Sequence, residues 1–176
     1  MKVKYLDLKN KRVFISGGGS GIGASIVEHF CEQNSEVYFI DIDVKASNKL
    51  IKSIKKKKLK APNFIECNIL DVKKLQKIIK DIITKKGPIH CLVNSAANDD
   101  RHSTDQVDEK YWDNRMNINL KHYFFAAQSV VKGMKKIKSG SIVNLSSVSW
   151  MLGEGDKVVY ETAKSAVVGL TRSFAQ

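Results

Sequence analysis

Five short apolar bursts recur along the chain, at Arg12 to Ser16, Val37 to Ile40, Phe64 to Cys67, Cys91 to Asn94 and Ser141 to Leu145. Each has the length of a strand and is followed by a longer stretch with helical spacing. The spacing predicts a first helix from the glycines after Ser16 to about Gln33, a second over roughly Val44 to Lys57 and a third over Asp71 to Lys85. A long fourth helix is expected over about Asp113 to Ile137, with Met116, Leu120, Phe124, Ala127, Val131 and Met134 along one face. Strand and helix in alternation predict an α/β fold, a doubly wound parallel sheet with helices on both faces. The two prolines, Pro62 and Pro88, each stand just before a predicted strand, and no repeat or linker suggests a second domain.

Composition narrows the choice of partners. With 43% hydrophobic and 8% aromatic residues, the chain is globular rather than disordered. Its formal charge of +12 raises the question of a polyanion. However, much of the excess lies in Lys52 to Lys60 and Lys132 to Lys138, interleaved with apolar residues such as Ile51, Ile54 and Leu59, as on a solvated helix face. No nucleic-acid partner is expected. Cys31, Cys67 and Cys91 are odd in number and widely spaced, so neither disulfides nor a metal site are expected, and a reducing cytoplasm fits best. The apolar run Val13 to Ile15 is too short for a signal peptide, and no segment has the length of a membrane span.

The first burst runs into Ser16-Gly17-Gly18-Gly19-Ser20-Gly21-Ile22-Gly23, where a doubly wound sheet binds phosphate. Backbone N–H groups at a helix N-terminus hold a pyrophosphate if no Cβ blocks the approach. The spacing fits GxxxGxG as Gly17, Gly21 and Gly23; a GxxxxGK loop fails because Ala24 stands where lysine is needed. A tight glycine turn without a ligand is the alternative. Asp41 ends the second strand, 18 residues after Gly23, where a carboxylate can accept from ribose hydroxyls and repel a 2′-phosphate, favouring NAD over NADP. Alternatively, Asp41 or Asp43 caps the next helix.

Tyr160 and Lys164 form a YxxxK pair that shares one face of a predicted helix. Tyr5 and Lys9 repeat the spacing, but they precede the glycine loop and lack a partner serine. Ser147 lies 13 residues before Tyr160, and Asn119 lies on the long helix. A phenol is a poor base at neutral pH, and lowering its pKa by about three units requires about 4 kcal/mol. An ammonium about 4 Å away supplies roughly that at an effective dielectric near 20, which is the task of Lys164. Ser147 would hold the reacting oxygen near Tyr160, and Asn119 would hold a water linking Lys164 to solvent. Taken singly, Ser147 could equally be a strand-end cap and Asn119 a satisfied helix polar group.

The glycine loop, Asn94-Ser95-Ala96-Ala97, Asn119, Ser147 and Tyr160 with Lys164 stand in the order of the short-chain dehydrogenase/reductase family, which the chain resembles over essentially its whole length. Asn98-Asp99-Asp100-Arg101-His102, Tyr111-Trp112-Asp113, Asn117 to His122, Ser149-Trp150 and Tyr160 to Lys164 resemble its bacterial NAD-dependent aldose 1-dehydrogenases. The resemblance implies a Rossmann-like NAD(P)-binding domain over residues 1–176. The implied reaction moves a hydride from the anomeric carbon of an aldose such as D-xylose to NAD, giving the lactone. It also implies a catalytic set of Asn119, Ser147, Tyr160 and Lys164. The implied cofactor set is Gly17, Gly19, Ser20, Gly21, Ile22, Gly23, Asp41, Asn68, Ile69, Asn94, Ala96, Tyr160 and Lys164.

Substrate would meet Asn98, Asp99, Ser147, Trp150, Glu154 and Tyr160, although Asp99, Asp100 and Arg101 could instead form local ion pairs or caps. Three departures stand out. Ser95 and Ala97 replace family residues in the usual Asn-Asn-Ala-Gly, Asn68 replaces a common adenine-binding aspartate, and the sequence ends at Gln176 within the helix of Tyr160. Family members continue with further strands and helices that close over substrate and build a dimer or tetramer. Residues 1–176 alone are therefore expected to bind NAD weakly, to turn over poorly and to leave the last strand as an exposed edge. Two other readings stand beside this one: an NADPH-preferring reductase of 3-oxoacyl thioesters or other carbonyls, against which Asp41 speaks, and a non-catalytic dinucleotide-binding module.

Overall fold

Strands β1 (Arg12–Ser16), β2 (Glu36–Asp41), β3 (Asn63–Glu66), β4 (Cys91–Asn94) and β5 (Ser141–Asn144) form one parallel sheet in the order β3-β2-β1-β4-β5. The computed structural model describes residues 3–175, so Gln176 lies outside the described residues. Side chains on β1 alternate as a pleated strand requires. Val13 and Ile15 pack with Val27, Phe39 and Ile54 under helices α1 (Gly21–Glu32) and α2 (Val44–Lys56). Phe14 joins Leu75 and Ile79 of α3 (Val72–Lys86) on the other face. Both faces are thus covered, and each fully buried Val, Ile, Leu or Phe contributes about 1.5–3 kcal/mol.

Local signals start the connecting helices. Asp43 accepts from Ala46 N at 2.8 Å at the start of α2, and Asp71 accepts from Lys74 N at 2.9 Å at the start of α3. Lysines close both helices, at Lys55–Lys56 and Lys85–Lys86, where they complement the helix dipole.

The helix expected over Asp113 to Ile137 starts earlier and is not continuous. It consists of α4 (Glu109–Met116), a π turn over Asn117–Lys121, and α5 (His122–Ile137). Asp108 caps α4 by accepting from Tyr111 N at 2.7 Å. The extra residue of the π turn advances the helical phase by about 100°. The buried stripe is therefore Asn119, His122, Tyr123, Ala126, Ala127, Val130 and Met134. Of the face expected from the periodicity, Ala127 and Met134 are buried, but Met116, Leu120 and Val131 are half-buried and Phe124 is 40% exposed. A regular 3.6-residue pattern has no place for an inserted residue.

Two helices complete the chain, α6 (Ser149–Leu152) and α7 (Val158–Phe174). The strand order reverses between β1 and β4, and a ligand crevice forms at such a reversal, beyond the carboxyl ends of the strands. Among the described residues β5 is an edge strand, and no helix is long and apolar enough to cross a membrane.

Candidate active site

A cleft of about 740 Å³ opens at the strand-order reversal, between the glycine turn after β1, the ends of β2, β3 and β4, and the first turns of α7. Its size falls within the usual range for small-molecule sites, roughly 300–1,000 Å³.

The glycine turn is set by close backbone packing. Gly17 and Gly18 donate to Ile40 O at 2.9 and 3.1 Å. A Cβ on Gly23 would lie 1.9 Å from Gly17 O, and one on Gly17 would lie 2.7 Å from Ala96 Cα. Gly21, at φ +52°, has open space where its Cβ would stand. Ser20 occupies the N-cap of α1 without a side-chain hydrogen bond. The first-turn amides and the positive end of the α1 dipole are thus left for an anion, an arrangement that fits a pyrophosphate.

Asp41 is oriented by that turn. Its Oδ2 accepts from Gly19 N at 2.8 Å and its Oδ1 accepts from Asp43 N at 2.9 Å. Asp43, not Asp41, caps α2, so the Asp41 carboxylate stands on the cleft wall. Asn68 folds back on its own chain, with Oδ1 accepting from Leu70 N at 3.0 Å. Asn68 and Ile69 line the cleft beside Asp41.

On the opposite wall, polar groups from the π turn and α5 hold the segment after β4. Asn119 is fully buried; its Oδ1 accepts from Asn98 N at 2.8 Å and its Nδ2 donates to Asn98 O at 2.9 Å. His122 Nε2 donates to Ala96 O at 3.1 Å, and burial keeps the ring neutral by pushing its pKa down to about 3. Ala96, Asn98 and Asp99 line the cleft.

Tyr160 and Lys164 lie one turn apart on α7, and both face the same cleft as the glycine turn. The Lys164 ammonium lies 5.6 Å from the centre of the Tyr160 ring. It donates to Tyr123 Oη at 2.9 Å and to Leu145 O at 2.7 Å. The side chain is 1% exposed, and burial pushes its pKa down to about 8. Ser146 Oγ donates to Lys164 O at 2.7 Å and ties α7 to the end of β5.

Residues 11–176 match the family described as short chain dehydrogenase. The chain belongs to the short chain dehydrogenase family. It is 41% identical to the D-xylose 1-dehydrogenase of Caulobacter vibrioides, over 98% of this chain and 67% of that protein. It is 38% identical, over the same shares, to the protein named "Probable galactose dehydrogenase GalD" in Rhizobium meliloti. The aldohexose dehydrogenase of Thermoplasma acidophilum superposes with a TM-score of 0.85 at 28% identity, covering 97% of this chain and 62% of that one. The chain thus spans about two thirds of the length of these family members.

Several other residues singled out in this short chain dehydrogenase lie off the cleft wall. Asn94 is fully buried, and its Nδ2 donates to Asn144 Oδ1 at 2.8 Å, joining β4 to β5. Ser147 Oγ is paired with Ser149 Oγ at 2.8 Å and accepts from Ser149 N at 3.2 Å. Ser146 lines the cleft beside it. Trp150 is half-buried in α6, and Glu154 pairs with Lys157 at 2.7 Å. Asp100 and Arg101 form ion pairs with Arg115 and Asp156, whereas Asp99 stays on the cleft wall. The Asn119 side chain is engaged by the backbone of Asn98 at both its oxygen and its nitrogen. Sequence reasoning missed His122 and Tyr123; two polar aromatic residues three and four positions after Asn119, inside an apolar helix, were the available signal.

Proposed function

We propose that the protein oxidises the anomeric hydroxyl of an aldose such as D-xylose, with NAD as preferred hydride acceptor and the lactone as product. The observation that carries this reading is the placement of Tyr160 and Lys164 on the wall of the cleft that the glycine turn floors. The sugar dehydrogenases among the relatives support the substrate class.

A bound nicotinamide would supply the acceptor for the hydride that leaves C1 of the sugar. The turn amides after Gly17 would hold its pyrophosphate, Asp41 would accept from the adenosine ribose, and Asn68 and Ile69 would border the adenine end. Tyr160 takes the proton of the anomeric hydroxyl. The Lys164 ammonium, 5.6 Å from the centre of the Tyr160 ring, supplies the positive charge beside the base. Ser147 exchanges its bond to Ser149 for one to the sugar oxygen, and Asn98 and Asp99 meet further hydroxyls. The Asn119 clamp keeps Asn98 in place.

Self-association into a dimer or tetramer belongs to the same reading. An apolar groove lined by Leu120, Phe124, Phe125, Ala166 and Leu170 supports it. A cytoplasmic location is supported by three free cysteines, whose thiol pKa values burial raises.

The test is coenzyme reduction by the protein with xylose, galactose and glucose, against a 3-hydroxyacyl thioester. Turnover of an aldose with NAD is expected; turnover confined to the thioester would refute the reading. Asp41→Ala is expected to weaken NAD binding by roughly 10- to 100-fold, the worth of hydrogen bonds to a charged group, with NADP affinity unchanged or improved. An equal loss for both coenzymes, read by titration calorimetry, would show that Asp41 only supports Gly19.

A further inference from the structure

Helix α7 lacks a cap from its own chain start: Lys157 occupies the cap position and offers no side-chain hydrogen bond. One first-turn amide is satisfied from a different loop. Val159 N–H donates to His102 Nε2 at 3.4 Å. A backbone amide can only donate, so Nε2 is the acceptor and the proton of the neutral ring sits on Nδ1. That nitrogen faces Tyr111 Oη at 2.9 Å and Asp100 O at 3.2 Å. The Tyr111 ring meets the imidazole edge-on, and Arg115 stacks on the Tyr111 ring at 4.8 Å. His102 N also donates to Asp156 O at 2.7 Å, so the loop after β4 is tied to the approach to α7 through backbone as well. The imidazole is 8% exposed.

From this geometry we infer that His102, neutral and protonated on Nδ1, is a positioning residue that caps α7 across space and fixes Tyr160, the residue after Val159. The inference rests on the reading of Tyr160 as the base. It also links the two sides of the site, because the segment that carries His102 begins with Asn98 and Asp99 on the cleft wall.

Protonation would reverse the contact. An imidazolium has no acceptor at Nε2, and it would set a positive charge against the positive end of the helix dipole. The surrounding charges do not compensate. Asp100 of the same loop is paired with Arg115 of α4 at 2.9 Å. Asp156 and Glu154, on the approach to α7, are paired with Arg101 and Lys157. Tyr111 is the remaining titratable group against the ring, and its hydroxyl oxygen accepts the hydrogen bond from Nδ1–H. An imidazolium at this position would therefore release the start of α7.

The test compares the unmodified holoenzyme with His102→Gln, which offers an uncharged acceptor, and His102→Ala, which offers none. Amide hydrogen exchange over residues 157–163, corrected for intrinsic rates, is read at about pH 8 and about pH 5, the limits between which histidines commonly titrate. In the unmodified protein first-turn protection is expected to fall about 5-fold or more at the lower pH, the size of a lost cap. It should stay level in His102→Gln and be low at both pH values in His102→Ala. In parallel, His102→Ala should lower kcat by about 10-fold with coenzyme KM within about two-fold, and His102→Gln should recover most of kcat and lose the acid limb of the profile.

Equal protection of the unmodified protein and His102→Ala at about pH 8 overturns the inference. So does the same acid loss in His102→Gln, a comparison that decides even if the alanine variant does not fold. The exchange measurement is independent of substrate. Expected protection without aldose turnover would count against the proposed function alone.

Discussion

Replacing Tyr160 by Phe is expected to lower kcat for aldose oxidation by about 10³-fold, within the span of a lost general acid–base group. Coenzyme affinity should stay within about three-fold, because the pyrophosphate and ribose contacts lie elsewhere. Among the described residues the Tyr160 hydroxyl makes no hydrogen bond, so its loss strands no partner. Stability should accordingly stay within about 0.5 kcal/mol of the unmodified protein. Steady-state turnover, coenzyme titration and a thermal melt together check this. A kcat within ten-fold of the unmodified value would remove Tyr160 from the chemistry, and coenzyme binding without aldose turnover in both the unmodified protein and the variant would favour a pure binding module.

Lys164→Met should abolish turnover and stabilise the fold. The lysine is buried, and its pKa is about 8 in the fold against an ordinary 10.5. Between these values the unfolded chain binds more protons than the folded one, so this group's contribution to stability rises with pH across that window. Below about pH 8 both states carry the charge, and the full penalty of burying it, on the order of 3 kcal/mol, is present. Methionine keeps the stem and removes the charge. Tyr123 keeps a partner, since its hydroxyl also donates to Leu145 O at 3.1 Å. A gain of roughly 1–3 kcal/mol is expected near neutral pH, which raises Tm by several degrees in a chain of this size. The gain should shrink as pH rises from about 8 to 10.5. Thermal or urea melts at the two ends of that window measure it. A less stable variant would mean that the two hydrogen bonds of the ammonium outweigh its desolvation.

The parts of the site legible in the sequence are those whose chemistry is local. Gly17, Gly21 and Gly23 are readable because missing Cβ atoms are the requirement itself, and Tyr160 with Lys164 because four residues make one helical turn. The strands were equally plain, their ends lying within a residue of the apolar bursts. What the sequence could not show depends on distant partners. Either Asp41 or Asp43 could have capped the next helix, and only the bonds from Ala46 N to Asp43 and from Gly19 N to Asp41 separate them. Tyr123 carries no local signal of its partner, because Lys164 is 41 positions away. Asn119 was found for its place in a family pattern, but its bond to Asn98 depends on a turn that periodicity alone does not reveal.

That turn bears on how this chain is aligned with others. A π turn is a one-residue insertion that a helix has absorbed. Removing any one residue from Asn117–Lys121 would restore a continuous helix and rotate α4 against α5 by about 100°. Either Asn119 or the Tyr123 stripe would then turn away from the cleft. A single-residue gap at this point between two homologues therefore marks a change in how the cleft wall is held, even where the flanking residues are identical.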